Sequence, residues 1–159
     1  MGNSWRMDET YIKINGTSVY LYRAVDLLGN TIEFLLRKHR DAAAAKAFFR
    51  KAFKYNGHPQ KVTIDKSGSN ISALKAANKE LDEDKQIEVR QVKYLNNIVE
   101  QDHRFIKKRT KPMLGFKSFL SAKITITGIE NIRIIQKGQL IGSNDNLSTF
   151  ENFKMLMAA

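Results

Sequence analysis

The chain has 159 residues, with twenty-seven Lys and Arg against sixteen Asp and Glu for a formal net charge of +11. That length suits one domain with a real core, and 42% hydrophobic content excludes disorder over most of it. The absence of cysteine excludes disulfide frameworks and thiolate metal sites, no apolar run approaches the ~18 residues of a membrane span, and polar Met1-Gly2-Asn3-Ser4 lacks a signal-peptide core.

In chain order, residues 1–7 read as a linker or chain end. Residues 8–14 alternate and are rich in β-formers, and Asn15-Gly16 is a strong hairpin signal into a second strand over 18–25. Leu28-Gly29-Asn30 turns the chain into a third strand over 31–36, completing an antiparallel meander. Asp41 is a good N-cap for a helix over 42–54, which Asn56-Gly57-His58-Pro59 ends. A short buried strand over 62–64 stops at Asp65, and Ser67-Gly68-Ser69-Asn70 leads to a helix over 71–81. Glu80, Asp82, Glu83 and Asp84 form a solvated acidic corner before a fifth strand over 87–92.

The next helix, over 94–109, repeats apolar Leu95, Ile98, Val99, Phe105 and Ile106 at three- and four-residue steps. Glu100, His103, Arg104 and Lys107 then fall along its other face. Residues 116–136 keep a helical step, although Ile124-Thr125-Ile126-Thr127 has strand propensity; one long or kinked helix is expected. Ser148-Thr149-Phe150-Glu151 is a capping-box pattern for a short terminal helix, within a tail over 138–159 that carries no assigned function. The order β-β-β-α-β-α-β-α-α predicts an α/β fold whose mixed five-stranded sheet is flanked by helices.

Excess positive charge favours polyanionic partners through counterion release, and no strongly amphipathic basic helix with aromatic anchors points to a membrane surface. Three acids stand out: Asp8 at the first strand, Asp65 at the C-terminal end of the fourth, and Glu100 on the helix after the fifth. Converging carboxylates hold hard cations such as Mg²⁺ or Mn²⁺, and a pair of ions supports phosphodiester chemistry. Arg104, Lys107, Lys108, Arg109 and Lys111 form a cationic run suited to phosphates, Lys107 sharing a face with Glu100. Spacing alone leaves three acids among sixteen a weak set.

Several stretches resemble the catalytic core of bacterial DDE transposases of insertion-sequence family six. They are Trp5-Arg6-Met7-Asp8-Glu9-Thr10-Tyr11, Tyr20-Leu21-Tyr22-Arg23-Ala24-Val25-Asp26, residues 37–43, Val62-Thr63-Ile64-Asp65-Lys66, and the run from Lys93 to Arg104. Thirty-four residues separate Asp65 from Glu100, the spacing expected of that family, and Lys107 matches the basic residue that follows its glutamate. The likeness covers roughly residues 5–137, so 8–137 is expected to be the catalytic core. It implies an RNase H-like fold shared with retroviral integrases. It also implies divalent-metal-dependent cleavage at transposon ends and strand transfer into target DNA, with Asp8, Asp65 and Glu100 as catalytic metal ligands. Two Mg²⁺ (or Mn²⁺) ions per site with substrate bound are implied, as are water and a DNA 3′-hydroxyl as nucleophiles. Partners implied are DNA and further copies of the chain in a dimer or higher multimer, at a cytoplasmic, nucleoid-associated location.

Full-length members resembling this chain carry a helix-turn-helix region before the first aspartate, which here is nearly the first residue. An excised catalytic domain or a truncated gene is expected, and a catalytically silent fragment that only binds DNA or dimerises is the alternative. An RNA-cleaving hydrolase of the same fold is a third reading. Among other polar residues, Glu9 should point to the face opposite Asp8 and serve the surface. Asp26 reads as a hairpin residue and Asp102, about 200° from Glu100 around the helix, as a surface ion-pair partner. His58 and His103 lack further ligands at zinc spacing. Trp5 should pack under the first strand.

Overall fold

The computed structural model describes residues 3–92, 97–113, 115–140 and 146–158, with backbone alone at 97, 98 and 156. Its strands are β1 (Ser4–Ile14), β2 (Thr17–Asp26), β3 (Thr31–Arg37), β4 (Lys61–Ile64) and β5 (Glu88–Gln91). They form one mixed sheet in the order β3-β2-β1-β4-β5. Helices are α1 (Ala42–Asn56), α2 (Gly68–Asn78), α3 (Asn97–Thr110), α4 (Phe119–Gln136) and α5 (Thr149–Ala158).

Asn15 and Gly16 adopt φ of 46° and 76°, the left-handed pair that a two-residue hairpin demands, and β1 and β2 pair from Trp5↔Asp26 to Ile14↔Thr17. The first strand therefore starts at Ser4, so residues 4–7 belong to it and not to the linker expected over 1–7. Trp5 and Met7 are both buried, and a short parallel ladder to β4 fixes Ser4 to Arg6. The sequence hid this because only Trp5 and Met7 carry the alternation there, too short a run to read as a strand by itself. Asp26 behaves as the expected turn residue: its Oδ1 accepts from the backbone N–H of Leu28 and of Asn30.

Alternation along β1 and β2 divides the core in two. Trp5, Met7, Tyr22 and Ala24 face α1 and α2, where Ala45, Phe48, Phe49 and Leu74 close over them. Ile12, Ile14, Val19 and Leu21 face the other way, against Ile106 of α3 and Ala122 and Ile126 of α4. Asp41 caps α1 by accepting from the backbone N–H of Ala44 at 2.7 Å, and Gly57 (φ 72°) terminates it. Helix α2 begins at Gly68, a turn earlier than its apolar residues suggest, with Ser67 in the N-cap position. Ser118 and Ser121 form a capping box for α4, whose strand-prone Ile-Thr run is overridden once Ala122 and Ile126, one turn apart, reach the core. At α5, Ser148 and Glu151 realise the predicted capping box. No helix among the described residues is long and apolar enough to cross a membrane.

A buried ionic cluster pins α3 and α4 to the sheet. Arg23 of β2 pairs with Glu130 of α4 and lies 3.5 Å from Asp102 of α3; Arg133 and Lys137 of α4 also meet Asp102. Lys137 continues to the carbonyl of Gly29 at 2.7 Å, tying the end of α4 to the β2–β3 turn. Asp102 is thus an ion-pair partner as expected, but at 3% exposure it belongs to the interior and not the surface. Its cations come from β2 and α4, distant in sequence, so helical position alone pointed outward.

Candidate active site at the open edge of β1

Strand β4 pairs with β1 only over Ser4–Arg6, and farther along Ile14 bridges to Phe116. Among the described residues, the β1 edge between those contacts has no strand partner on that side. Asp8 lies two residues past Arg6, and Asp65 two past its partner Thr63, so the parallel register brings the two acids opposite each other at the end of β4. Asp65 is oriented by a hydrogen bond from the backbone N–H of Ser67 at 3.1 Å. Burial pushes the Asp8 carboxyl up to about 6, and the charges of Glu9 and Asp65 add to the rise.

Helix α3 closes the site from the other side of the sheet edge. His103, buried, brings Nδ1 to 3.8 Å from Asp8 Oδ2. Burial first, then the charges of Arg23 and Lys107, hold its imidazole down at about 3, so it stands there neutral. The sequence periodicity placed His103 on the polar face of the helix. In the structure the inward face is Val99, Asp102, His103 and Ile106, a stripe at i, i+3, i+4 and i+7 that mixes apolar and polar groups. Residues 93–96, which open the expected helix and include Leu95, lie outside the described residues.

Glu100 heads the same helix at 52% side-chain exposure, and Arg104, one turn on, donates to its Oε1 at 2.9 Å. The remaining cations follow toward the C-terminus. Lys107 sits with Nζ 4.6 Å from the centroid of the Tyr11 ring, and Arg109 covers Phe105. Lys107 and Lys111, with Tyr11, Lys13 and Phe116, line a groove of about 340 Å³ along the open stretch of β1. Lys108 is exposed on the same helix.

Glu9 does point away from Asp8, yet its side chain is only 2% exposed, which overturns the surface role expected of it. Its Oε1 accepts from Arg40 Nε at 2.6 Å and its Oε2 from Asn70 Nδ2 at 2.8 Å. Arg40 also brings Nη2 to 3.7 Å from Asp65. Neither Arg40 nor Asn70 stood out in the sequence. Arg40 lies within a stretch noted only for its likeness, and a lone Asn in a turn has no signal of its own.

The donors suit a hard divalent cation: Asp8 and Asp65 are carboxylates whose mutual repulsion a cation would relieve. Among the described residues, no three His, Cys, Asp or Glu side chains are gathered closely enough to hold a metal ion. Glu100 is engaged with Arg104 instead.

A family model described as a DDE domain matches residues 2–139. The chain is 44% identical over 133 residues to Staphylococcus aureus transposases, one for the insertion sequence-like element IS431mec and one for the insertion sequence element IS257 in transposon Tn4003. Those matches take in 84% of this chain and 58% of the relatives' length. Among solved structures, the HTLV-2 integrase catalytic core domain in complex with magnesium (trimeric form) aligns with a TM-score of 0.60 at 16% identity, over 95% of this chain and 96% of that one. The catalytic core domain of BIV integrase aligns at 0.59 and 14% identity, over 99% and 97%. The sheet order and flanking helices are thus those of the RNase H-like integrase cores, as the sequence led one to expect. Matched by the model over most of its length, the chain belongs to the DDE-domain family.

Proposed function

We propose that this chain is the catalytic core of a transposase, cleaving DNA at transposon ends and joining them to target DNA with Mg²⁺ or Mn²⁺, two ions per site. The observation that carries the reading is the juxtaposition of Asp8 and Asp65 at the open end of a sheet in a chain of the DDE-domain family. On this reading Asp8, Asp65 and Glu100 hold the metal. When bound, the metal supplies polarisation of the scissile phosphate and activation of the attacking oxygen.

The protein's own groups do the rest. Asp8 is a ligand only once deprotonated, which its elevated pKa sets near pH 6. His103, neutral and buried behind it, adds no competing positive charge. Lys107 and Lys111 in the β1 groove, with Arg104, Lys108 and Arg109 beside it, would bind and orient the phosphate backbone. Glu100 must leave Arg104 to join the aspartates, and approaching phosphate gives Arg104 another anion to pair with. The chain acts on DNA as a dimer or larger assembly, in keeping with the HTLV-2 core described in dimeric and trimeric forms.

The test is nicking and joining of plasmid DNA across a Mg²⁺ and Mn²⁺ titration, with Glu100→Gln as control. Metal-dependent nicking abolished by Glu100→Gln supports the reading, and nicking or metal affinity untouched by that change removes the triad. Salt-sensitive DNA affinity with no metal dependence would instead identify a silent DNA-binding or dimerising fragment. Cleavage of RNA–DNA hybrids in preference to DNA duplex would reassign the substrate to RNA.

A further inference from the structure

On the α2 side of the aspartates, away from the basic run of α3, one guanidinium is held with unusual care. Arg40 leads into α1 and its side chain is 44% exposed, yet its Nε is fixed at 2.6 Å from Glu9 Oε1. Glu9 is buried and is itself held through its second oxygen by Asn70, a wholly buried residue in the first turn of α2. Three segments therefore converge to aim a single exposed cation: β1, the β3–α1 connection and α2. Buried Glu9 needs a cation beside it in any case, and that pairing uses only Nε of Arg40.

The terminal nitrogens of Arg40 remain available. Nη2 stands 3.7 Å from Asp65 Oδ2, within ion-pair range but beyond hydrogen-bond reach, and among the described residues neither Nη makes a hydrogen bond. With Nε occupied, the Nη edge is presented at the border of the Asp8–Asp65 site, where planar N–H donors match the oxygens of a phosphate. Ser67, at the N-cap of α2, donates its backbone N–H to Asp65 at 3.1 Å, which places the start of that helix at the same border.

We propose that Arg40 is a phosphate-binding residue for the DNA backbone on the α2 side of the site, with Glu9 and Asn70 as its positioning residues. The inference rests on the reading of this chain as a DNA-acting enzyme. It adds a second backbone contact across the aspartates from Lys107, so that a strand spanning the site is held on both sides of the acids.

The experiment measures binding of a fluorescein-labelled 30-base-pair DNA duplex by anisotropy from low to moderate salt, in EDTA, so that no catalysis enters. Arg40→Gln should lower affinity roughly three- to tenfold and reduce the slope of log K against log salt by about 1, one phosphate contact's worth. Because that change leaves Glu9 buried without its cation, the double variant Glu9→Gln/Arg40→Gln serves as a folded control and should show the same lost slope. Arg40→Lys should restore the slope but not the full affinity, since Lys cannot pair Glu9 and phosphate together. Lys154→Gln on α5 removes equal charge elsewhere and should leave the slope unchanged. A wild-type slope in both Arg40→Gln and the double variant, or an equal loss in Lys154→Gln, overturns the proposal. Failure of metal-dependent nicking would not touch this result, and loss of the Arg40 contact would not touch the metal titration.

Discussion

His103 Nδ1 faces Asp8 Oδ2 across 3.8 Å, and each group is driven toward its neutral form. An ion pair between them would need both charged. Burial opposes both charges, so the contact is one of two neutral groups at mildly acidic pH and of a carboxylate beside a neutral imidazole above it.

A pH signature follows, with the two groups acting in opposite senses. For Asp8 the native pKa of about 6 lies above the ordinary carboxyl value of 3.8, so between those pH values the native state keeps a proton that the unfolded chain has lost. Stability from this group is full below about pH 4 and falls as pH rises through 6. For His103 the native value of about 3 lies below 6.5, so its contribution is full above 6.5 and is lost as pH falls toward 3. Asp8→Asn should therefore be more stable than wild type at pH 7.5, by on the order of 2 kcal/mol, with the gap closing near pH 4. Urea denaturation at both pH values checks it, and an unchanged or reversed gap refutes the buried-acid account.

The ionic cluster behind the site predicts asymmetric mutational costs. Arg23→Gln leaves Glu130 buried without its cation and should cost roughly 3–5 kcal/mol. Replacing both partners, Arg23→Met with Glu130→Met, removes both charges together and should recover most of that loss. Denaturant midpoints of the single and double variants measure it. A double variant no better than Arg23→Gln would mean that the cluster is not organised as a pair.

The hairpin, the α1 cap and the turn at Asp26 were legible because each is a local matter: Asn15-Gly16, Asp41 and Asp26 act on neighbours within a few residues. The candidate acids were legible mainly through family likeness, since alternation and helical period place Asp8 and Glu100 but do not bring them together. What stayed hidden is what depends on distant partners. Asp102 and Glu9 looked like surface groups until Arg23, Lys137, Arg40 and Asn70 arrived from elsewhere in the chain, and His103 is buried as a neutral ring. Charge marks a residue as expensive to bury, and only the fold supplies what offsets the cost.

Lys107 differs from its basic neighbours because it lies over Tyr11 at the β1 groove. Contact with an aromatic face orients an ammonium without neutralising it. Lys107→Gln should therefore weaken DNA binding and reduce the salt slope by about 1. Tyr11→Leu should weaken binding less and leave the slope intact, because the charge remains. Anisotropy titrations of the two variants separate the roles, and equal slope losses would show that Tyr11 itself carries a backbone contact.

The pairing of Glu100 with Arg104 sets a threshold for metal binding in the absence of DNA. The two side chains are exposed, so their attraction is worth only about 0.2–1 kcal/mol. Removing the cation frees Glu100 toward the aspartates and also lowers positive charge near the metal position. Arg104→Gln should thus raise Mn²⁺ affinity up to about fivefold in DNA-free protein, the factor that corresponds to that attraction. With DNA present the order should reverse, since the variant lacks one of the cations proposed to meet the backbone. Isothermal titration with Mn²⁺, with and without duplex, reads both effects. If Arg104→Gln leaves the DNA-free affinity unchanged while Glu100→Gln lowers it, Glu100 reaches the metal without competition from Arg104, and the release step has no energetic role.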